Sequence, residues 1–349
     1  MKKYIIVITL IIISFTNIFS QTTDIITGLK GPYGLAIDGN YLYYCETDAK
    51  KVSKIDITET NPIPNDVVSG LNSPSGLILI GTYLYISEYL SGTIIKVDIT
   101  ETNPTPTEVV SGLGGPSGFV LNENTLFISE FDSGRISKIN ITEEIPNLIE
   151  VVSGLSKPEG LAIAGNELFI CEYFAGKISK IDITEDNPVL EDLITGLEGV
   201  YGIRHRGNNL YVCSIDDGAI YTIDITKSFI FPEFLLDQFR GPTRLIINND
   251  DMYVSEYNTG VISKTKIDPI STVEDFAKNS FQIHPNPATD FIYIKNINTY
   301  ENYSILNILG KTVTKGILND DNKIEISNLE KGTYFLIINN YDTIKFVKK

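Results

Sequence analysis

Apolar positions along most of the chain fall in short runs cut by Gly, Asn, Asp and Pro, without the three- and four-residue spacing of a helix. One stretch shows the grammar. Gly160-Leu161-Ala162-Ile163 is an apolar run, Gly165-Asn166 a turn, and Leu168-Phe169-Ile170-Cys171-Glu172 a second run ending on an acid. Gly176 marks the next turn before Ile178-Ser179-Lys180-Ile181-Asp182-Ile183, and a loop around Asn187-Pro188 follows. A fourth run has its counterpart one unit earlier in Glu150-Val151-Val152-Ser153. β-Branched and aromatic content between turn formers predicts four strands, here A to D.

The four-strand unit repeats. Gly31-Pro32-Tyr33-Gly34 returns as Ser73-Pro74-Ser75-Gly76, Gly115-Pro116-Ser117-Gly118, Lys157-Pro158-Glu159-Gly160, Gly199-Val200-Tyr201-Gly202 and Gly241-Pro242-Thr243-Arg244. The starts at 31, 73, 115, 157, 199 and 241 keep a spacing of 42 without drift. An ungapped all-β period of this size predicts propeller blades. The sixth unit supplies A, B and C and then runs into Asp268-Pro269 with no strand D. Thr23-Asp24-Ile25-Ile26-Thr27-Gly28-Leu29 matches Asp192-Leu193-Ile194-Thr195-Gly196-Leu197, the strand D of the fourth unit. The N-terminal segment is therefore expected to complete the last blade and remove the open edge. The expected fold class is all-β: a six-bladed β-propeller with N-terminal strand closure, followed by a small β-sandwich. The Pro-x-Gly-Leu start, the strand B ending in an acid and the Gly turn before strand C resemble the NHL and gluconolactonase-like propellers over residues 22–268.

After Asp268 the register ends. Phe281-Gln282-Ile283-His284-Pro285-Asn286-Pro287, Phe291-Ile292-Tyr293-Ile294, Tyr303 to Lys311, Ile324 to Leu329 and Gly332-Thr333-Tyr334-Phe335-Leu336 read as about seven short strands of a sandwich. Pro-Asn-Pro, the Gly-Lys after an aliphatic strand, Leu-x-x-Gly-x-Tyr-x-Leu and the Lys-rich end resemble, in order, the type A sorting domain of the type IX secretion system. His284 stands where that family usually has Tyr. The resemblance implies export to the periplasm, passage across the outer membrane by the type IX machinery and removal of this domain, the product being released or tethered to lipopolysaccharide.

At the other end, Lys2 and Lys3 precede the apolar Ile5 to Ile13, which is too short to span a bilayer and reads as a secretory signal cut after Ser20. The expected domains are a signal peptide at 1–20, a propeller at 21–268, a linker at 269–278 and a sorting domain at 279–349, with no transmembrane segment. The net charge of −16 becomes −18 once Lys2 and Lys3 are removed. Such a field repels phosphate backbones and argues against a nucleic-acid partner. Cys45, Cys171 and Cys213 fall at one equivalent strand position, which suits small buried fillers better than disulfides or metal ligands.

Candidate chemistry lies where strand A begins and strand B ends. Position 16 of the unit holds Glu46, Glu88, Glu130, Glu172 and Glu256, with Ser214 the exception. These are either a carboxylate ring for a cation or one structural acid per blade bonding turn amides, and their repetition favours the second. Gluconolactonase-like relatives hold a divalent metal with scattered Glu, Asn and Asp side chains. The resemblance therefore makes Glu46, Glu88 and Glu256 metal candidates, and Ca2+ suits such oxygen ligands. The departures from the repeat are Arg204-His205-Arg206 in unit five and Arg240 and Arg244 in unit six, four of only five arginines in the chain. They could hold an anionic group, although His205 and Arg206 point to the opposite rim from Arg240 and Arg244. Position 3 adds Tyr33, Glu159 and Tyr201, and position 17 adds Tyr89, Phe131, Tyr173 and Tyr257. This acidic, aromatic face suits an extracellular carbohydrate or peptide. No Ser–His–Asp order, zinc pair or phosphate loop is visible. The reading is a secreted binding or scaffold protein; the alternative is a metal-dependent extracellular hydrolase or lyase acting on sugars or lactones.

Overall fold

A computed structural model of the protein describes residues 22–227, 230–267, 282–295, 302–307, 311–319, 321–338 and 344–349. The expected signal peptide and linker lie outside them. Every regular element among the described residues is a strand. Six antiparallel four-stranded sheets have their first strands at Pro32–Asp38, Pro74–Ile80, Pro116–Asn122, Pro158–Ala164, Val200–Arg206 and Pro242–Asn248. Five are meanders in chain order. The sixth takes its outer strand from the N-terminus, with Thr23–Ile26 pairing to Val261–Lys266. The ladder runs Thr23 to Lys264, Asp24 to Ser263 and Ile26 to Ile262, and the Leu29 amide adds a 3.0 Å bond to the Gly260 carbonyl. The closing strand is shorter than the Thr23–Leu29 match and carries a bulge between Asp24 and Ile26, as the outer strands of the other blades do.

The A strands are innermost, and position 4 explains how they meet. A Cβ on Gly34 would collide with the Ser75 carbonyl of the next blade, one on Gly76 with Ser117, one on Gly118 with Glu159, and one on Gly160 with Tyr201. Glycine lets neighbouring inner strands approach to backbone contact. In five blades the A–B register shifts across positions 3 and 4, between Pro32 and Leu35 in the first and at matching residues in the next four. Such a bulge re-aims the side chains it carries. The position 3 groups meet at the axis, on the face called upper here.

Position 15 links the blades further. Ser129 accepts the Gly118 amide at 2.7 Å and donates to the Glu159 carbonyl of the next blade at 2.6 Å. Ser87 and Ser255 make the same pair of contacts, Ser255 reaching the Tyr33 carbonyl across the closure. Cys45, Cys171 and Cys213 hold this position in the other blades as buried free thiols. Burial pushes the Cys213 thiol up to about 12, so it stays neutral and inert. Apolar clusters fill the interfaces between blades, as where Tyr43, Cys45, Leu84 and Ile86 pack together.

The C-terminal region forms two sheets, one of Gln282–His284, Phe291–Lys295 and Lys323–Glu325, the other of Thr312–Ile317, Asn302–Asn307, Gly332–Ile338 and Ile344–Lys348. Ile292, Ile305, Leu336 and Phe346, from both sheets, bury a core of their own. The seven strands match the expected number.

Candidate functional site

The position 16 acids are built into their own blades. The Lys30 amide donates to Glu46 at 3.0 Å, Asn72 to Glu88 at 2.8 Å, Gly114 to Glu130 at 2.7 Å, Ser156 to Glu172 at 2.8 Å and Arg240 to Glu256 at 2.8 Å. Strand C hydroxyls take the other oxygens: Ser53, Thr93, Ser137, Ser179 and Ser263. Lys51, Arg135 and Lys177 add ion pairs in three blades. Burial opposes ionisation of Glu130, but Arg135, the Gly114 amide and the Ser137 and Ser133 hydroxyls outweigh it and hold the carboxyl below its ordinary range. Blade five loses acid and base together. Ser214 replaces Glu and bonds the Glu198 carbonyl at 2.8 Å, and Ala219 stands where three other blades have Lys51, Arg135 and Lys177. The position 16 carboxylate oxygens are occupied by backbone amides and hydroxyls, and among the described residues no three His, Cys, Asp or Glu side chains gather as a metal group, Glu46, Glu88 and Glu256 included.

The residues that do converge are the unlike ones of position 3, together with Arg244. On the upper axis Arg244 donates to Glu159 at 2.6 Å and to Ser117 at 2.9 Å, and Ser117 donates to Glu159 at 2.5 Å. The Tyr33 hydroxyl lies 3.2 Å from the same carboxylate oxygen, and Ser75 is 3.3 Å from Ser117. The guanidinium lies 4.6 Å from the Tyr33 ring centre and 5.4 Å from that of Tyr201, within cation–π range. Arg244 also donates to the Thr243 carbonyl at 3.2 Å. Every blade contributes a group. Glu159 and Arg244 are 2 % and 4 % exposed, so the network is a plug rather than an open bowl. Burial disfavours the Arg244 charge, yet Tyr33 and Glu159 more than restore it and hold it above its ordinary value. Burial first, and then Glu159, push the Tyr33 phenol up.

Around the plug runs an arc of rings. Successive centroids are 6.4 Å apart from Tyr257 to Tyr33, 5.9 Å to Tyr201, 5.3 Å to Tyr173, 6.5 Å to Phe131 and 6.2 Å to Tyr89. Several are pinned at their edges, Tyr257 by Asp48 at 3.1 Å and Phe131 by Lys157 at 4.7 Å from its centre. The outer members of this rim, Leu90 and Phe174, are exposed.

The basic sector expected from the sequence is dispersed. Arg206 pairs with Asp250 at 2.9 Å, Arg240 is exposed on the rim near Asp24 and Glu256, and Arg244 is the centre of the plug. Arg204 differs from all three. At position 6 it points into the channel beneath the plug and shares with Arg244 a void of about 10 Å³, room for a single water. Below it a funnel of about 330 Å³ opens to the lower face, lined mainly by aliphatic side chains with Arg204 and His205. Burial, then the like charge of Arg244, push the Arg204 guanidinium down to about 10, so it stays charged at neutral pH. Sequence reasoning missed Ser117 and the channel-facing Arg204. The alternation of strand A, counted from the axial position 4, was the available signal.

Fold and site together define a closed six-bladed propeller with a sealed upper axis, followed by a small sandwich. Residues 282–349 match the family described as the secretion system C-terminal sorting domain, which marks the protein for secretion. Solved structures share the propeller fold. A luciferin-regenerating enzyme is similar at 15% identity and TM-score 0.59, covering 74% of this chain and 98% of its own. A catalytically inactive virginiamycin B lyase from Staphylococcus aureus, solved with quinupristin, is similar at 14% identity and TM-score 0.55, covering 71% and 99%. The calcium-binding protein regucalcin from Agrobacterium tumefaciens is similar at 13% identity and TM-score 0.56, covering 70% and 93%. At such identities the likeness establishes the propeller fold alone. No curated protein sequence matches the chain significantly.

Proposed function

We propose that the chain is a non-catalytic binding or scaffold propeller, led out by residues 1–20 and carried across the outer membrane by the type IX machinery that reads residues 279–349. The observation behind this reading is the sealed upper axis. Arg244, Ser117 and Tyr33 all donate to one oxygen of Glu159, Tyr33 also reaching the other at 3.3 Å, and the carboxylate is buried among these partners rather than presented to an open bowl. The position 16 acids are committed to their blades in the same way. The aromatic arc around the plug would be the surface for an extracellular carbohydrate or peptide.

The alternative is a metal-dependent hydrolase or lyase, and a named lyase among the like-folded structures stands behind it. It needs oxygen ligands free to converge. Calorimetric melting of the purified protein with and without Ca2+, Mg2+ and Mn2+ separates the two. The binding reading expects one melting temperature throughout, since only a bound ion stabilises by mass action. A rise with metal that is lost in Glu88→Gln or Glu159→Gln would overturn it.

A further inference from the structure

Arg204 is the feature that neither blade packing nor the plug explains. At position 6 the other five blades place Ala36, Ile78, Val120, Ala162 and Ile246 around the channel, and blade five alone places a guanidinium there. Its one hydrogen bond runs to the carbonyl of its neighbour Ile203, at 3.1 Å. Among the described residues no carboxylate lies within ion-pair distance of it. The nearest charge facing it is Arg244, of like sign and already neutralised by Glu159. Arg204 is half-buried against an aliphatic wall with no carboxylate to pair it, and an aliphatic residue would complete the ring of position 6 without a charge there.

We propose that the lower funnel binds an organic carboxylate with an unbranched apolar tail, a medium-chain fatty acid, with its head group on Arg204. The argument rests on the binding-module reading and places that binding on the face opposite the aromatic arc. Shape and charge agree. A guanidinium at the narrow end offers a planar fork matched to a carboxylate. The wall below it is apolar, built by Ile78, Leu79, Val120, Leu121 and Ile246. The plug seals the far end, so the head group must enter first from below. The size of the funnel falls in the range of small-molecule pockets. A hydrated ion gains nothing from such a wall, and a neutral hydrocarbon gains nothing from the guanidinium.

Isothermal titration of the full protein with octanoate, octan-1-ol, acetate and sulfate tests this. Octanoate should bind with one-to-one stoichiometry. Octan-1-ol and acetate, each lacking one half of the complement, should bind at least about tenfold more weakly. Arg204→Leu should weaken octanoate by at least about tenfold while leaving the far-ultraviolet spectrum intact, and Val120→Trp, which fills the funnel from another blade, should abolish it. The proposal fails if wild type does not take up octanoate, if either folded variant binds it unchanged, or if sulfate binds as well as octanoate. Such a failure, with melting still insensitive to metals, removes the funnel site and leaves the export and binding reading standing.

Discussion

Two arginines hang from inner strands of adjacent blades and reach the same axis, yet their surroundings are opposite. Arg244 sits in the upper plug between two aromatic faces, with a carboxylate and a hydroxyl in bonding range. Arg204 sits below it against an aliphatic wall, with a single backbone carbonyl. A charge contributes to a fold through what answers it: Arg244 is buried and answered, Arg204 half-buried and unanswered. The plug is finished by the protein. The funnel is finished from outside.

The largest effect should come from unanswering Arg244. Glu159→Gln keeps the shape and leaves a buried guanidinium uncompensated, a change that typically costs about 3–5 kcal/mol. Urea unfolding should show it as a lower midpoint with unchanged slope. Replacing both partners, Glu159→Leu with Arg244→Leu, should recover most of the loss. If the double variant is as unstable as the single one, the plug is held by packing and the contrast with Arg204 dissolves.

Arg204→Leu should behave in the opposite sense. It removes a half-buried charge that pairs with no carboxylate and completes the aliphatic ring, so without ligand the melting temperature should hold or rise, within about 1 kcal/mol. A clear drop would mean that Arg204 has a structural partner after all, and its difference from Arg244 would vanish.

An effect of similar size and opposite sign belongs to a pair inside one blade. Glu130 bonds Arg135 at 2.7 Å, but Arg135 is partly in water. Glu130→Gln should cost about 1 kcal/mol at neutral pH, far below the plug. The sign on acidification follows from the direction of the shift. Because the Glu130 carboxyl is held below its ordinary range, its contribution is present above that range and lost as pH falls through the folded value. Wild type and variant should converge in acid. A gap that persists in acid would make the loss steric rather than electrostatic.

The blades, their period and the closing strand were all legible in the sequence, because each repeats a local signal at a fixed offset. The position 16 acids stood out for the same reason: Glu returns at one offset in five units and only blade five replaces it, with Ser214. The plug was only half visible. Tyr33, Glu159, Tyr201 and Arg244 stood out as departures, but Glu159 is 85 residues from Arg244 and 126 from Tyr33. A ring brings its far sides together at the axis, and no periodicity states which unlike residues will face each other there. Arg204 was hidden by a matter of aim. Read beside His205 and Arg206 it looked like part of a basic patch, whereas Arg206 pairs with Asp250 and Arg204 lines the channel.

The seam between Thr23–Ile26 and Val261–Lys266 also sets an order of events. Synthesis makes the first of these strands at the outset and its partner some 240 residues later, so the ring stays open until its last blade exists. The sorting domain at 282–349 is made later still. Its address therefore becomes readable only on a chain that already holds every strand needed to shut the ring. A truncated product lacks the address along with the latch. Placing the delivery label downstream of the final fastening makes the label a certificate of completeness, so what carries it is a chain able to give its last blade an outer strand.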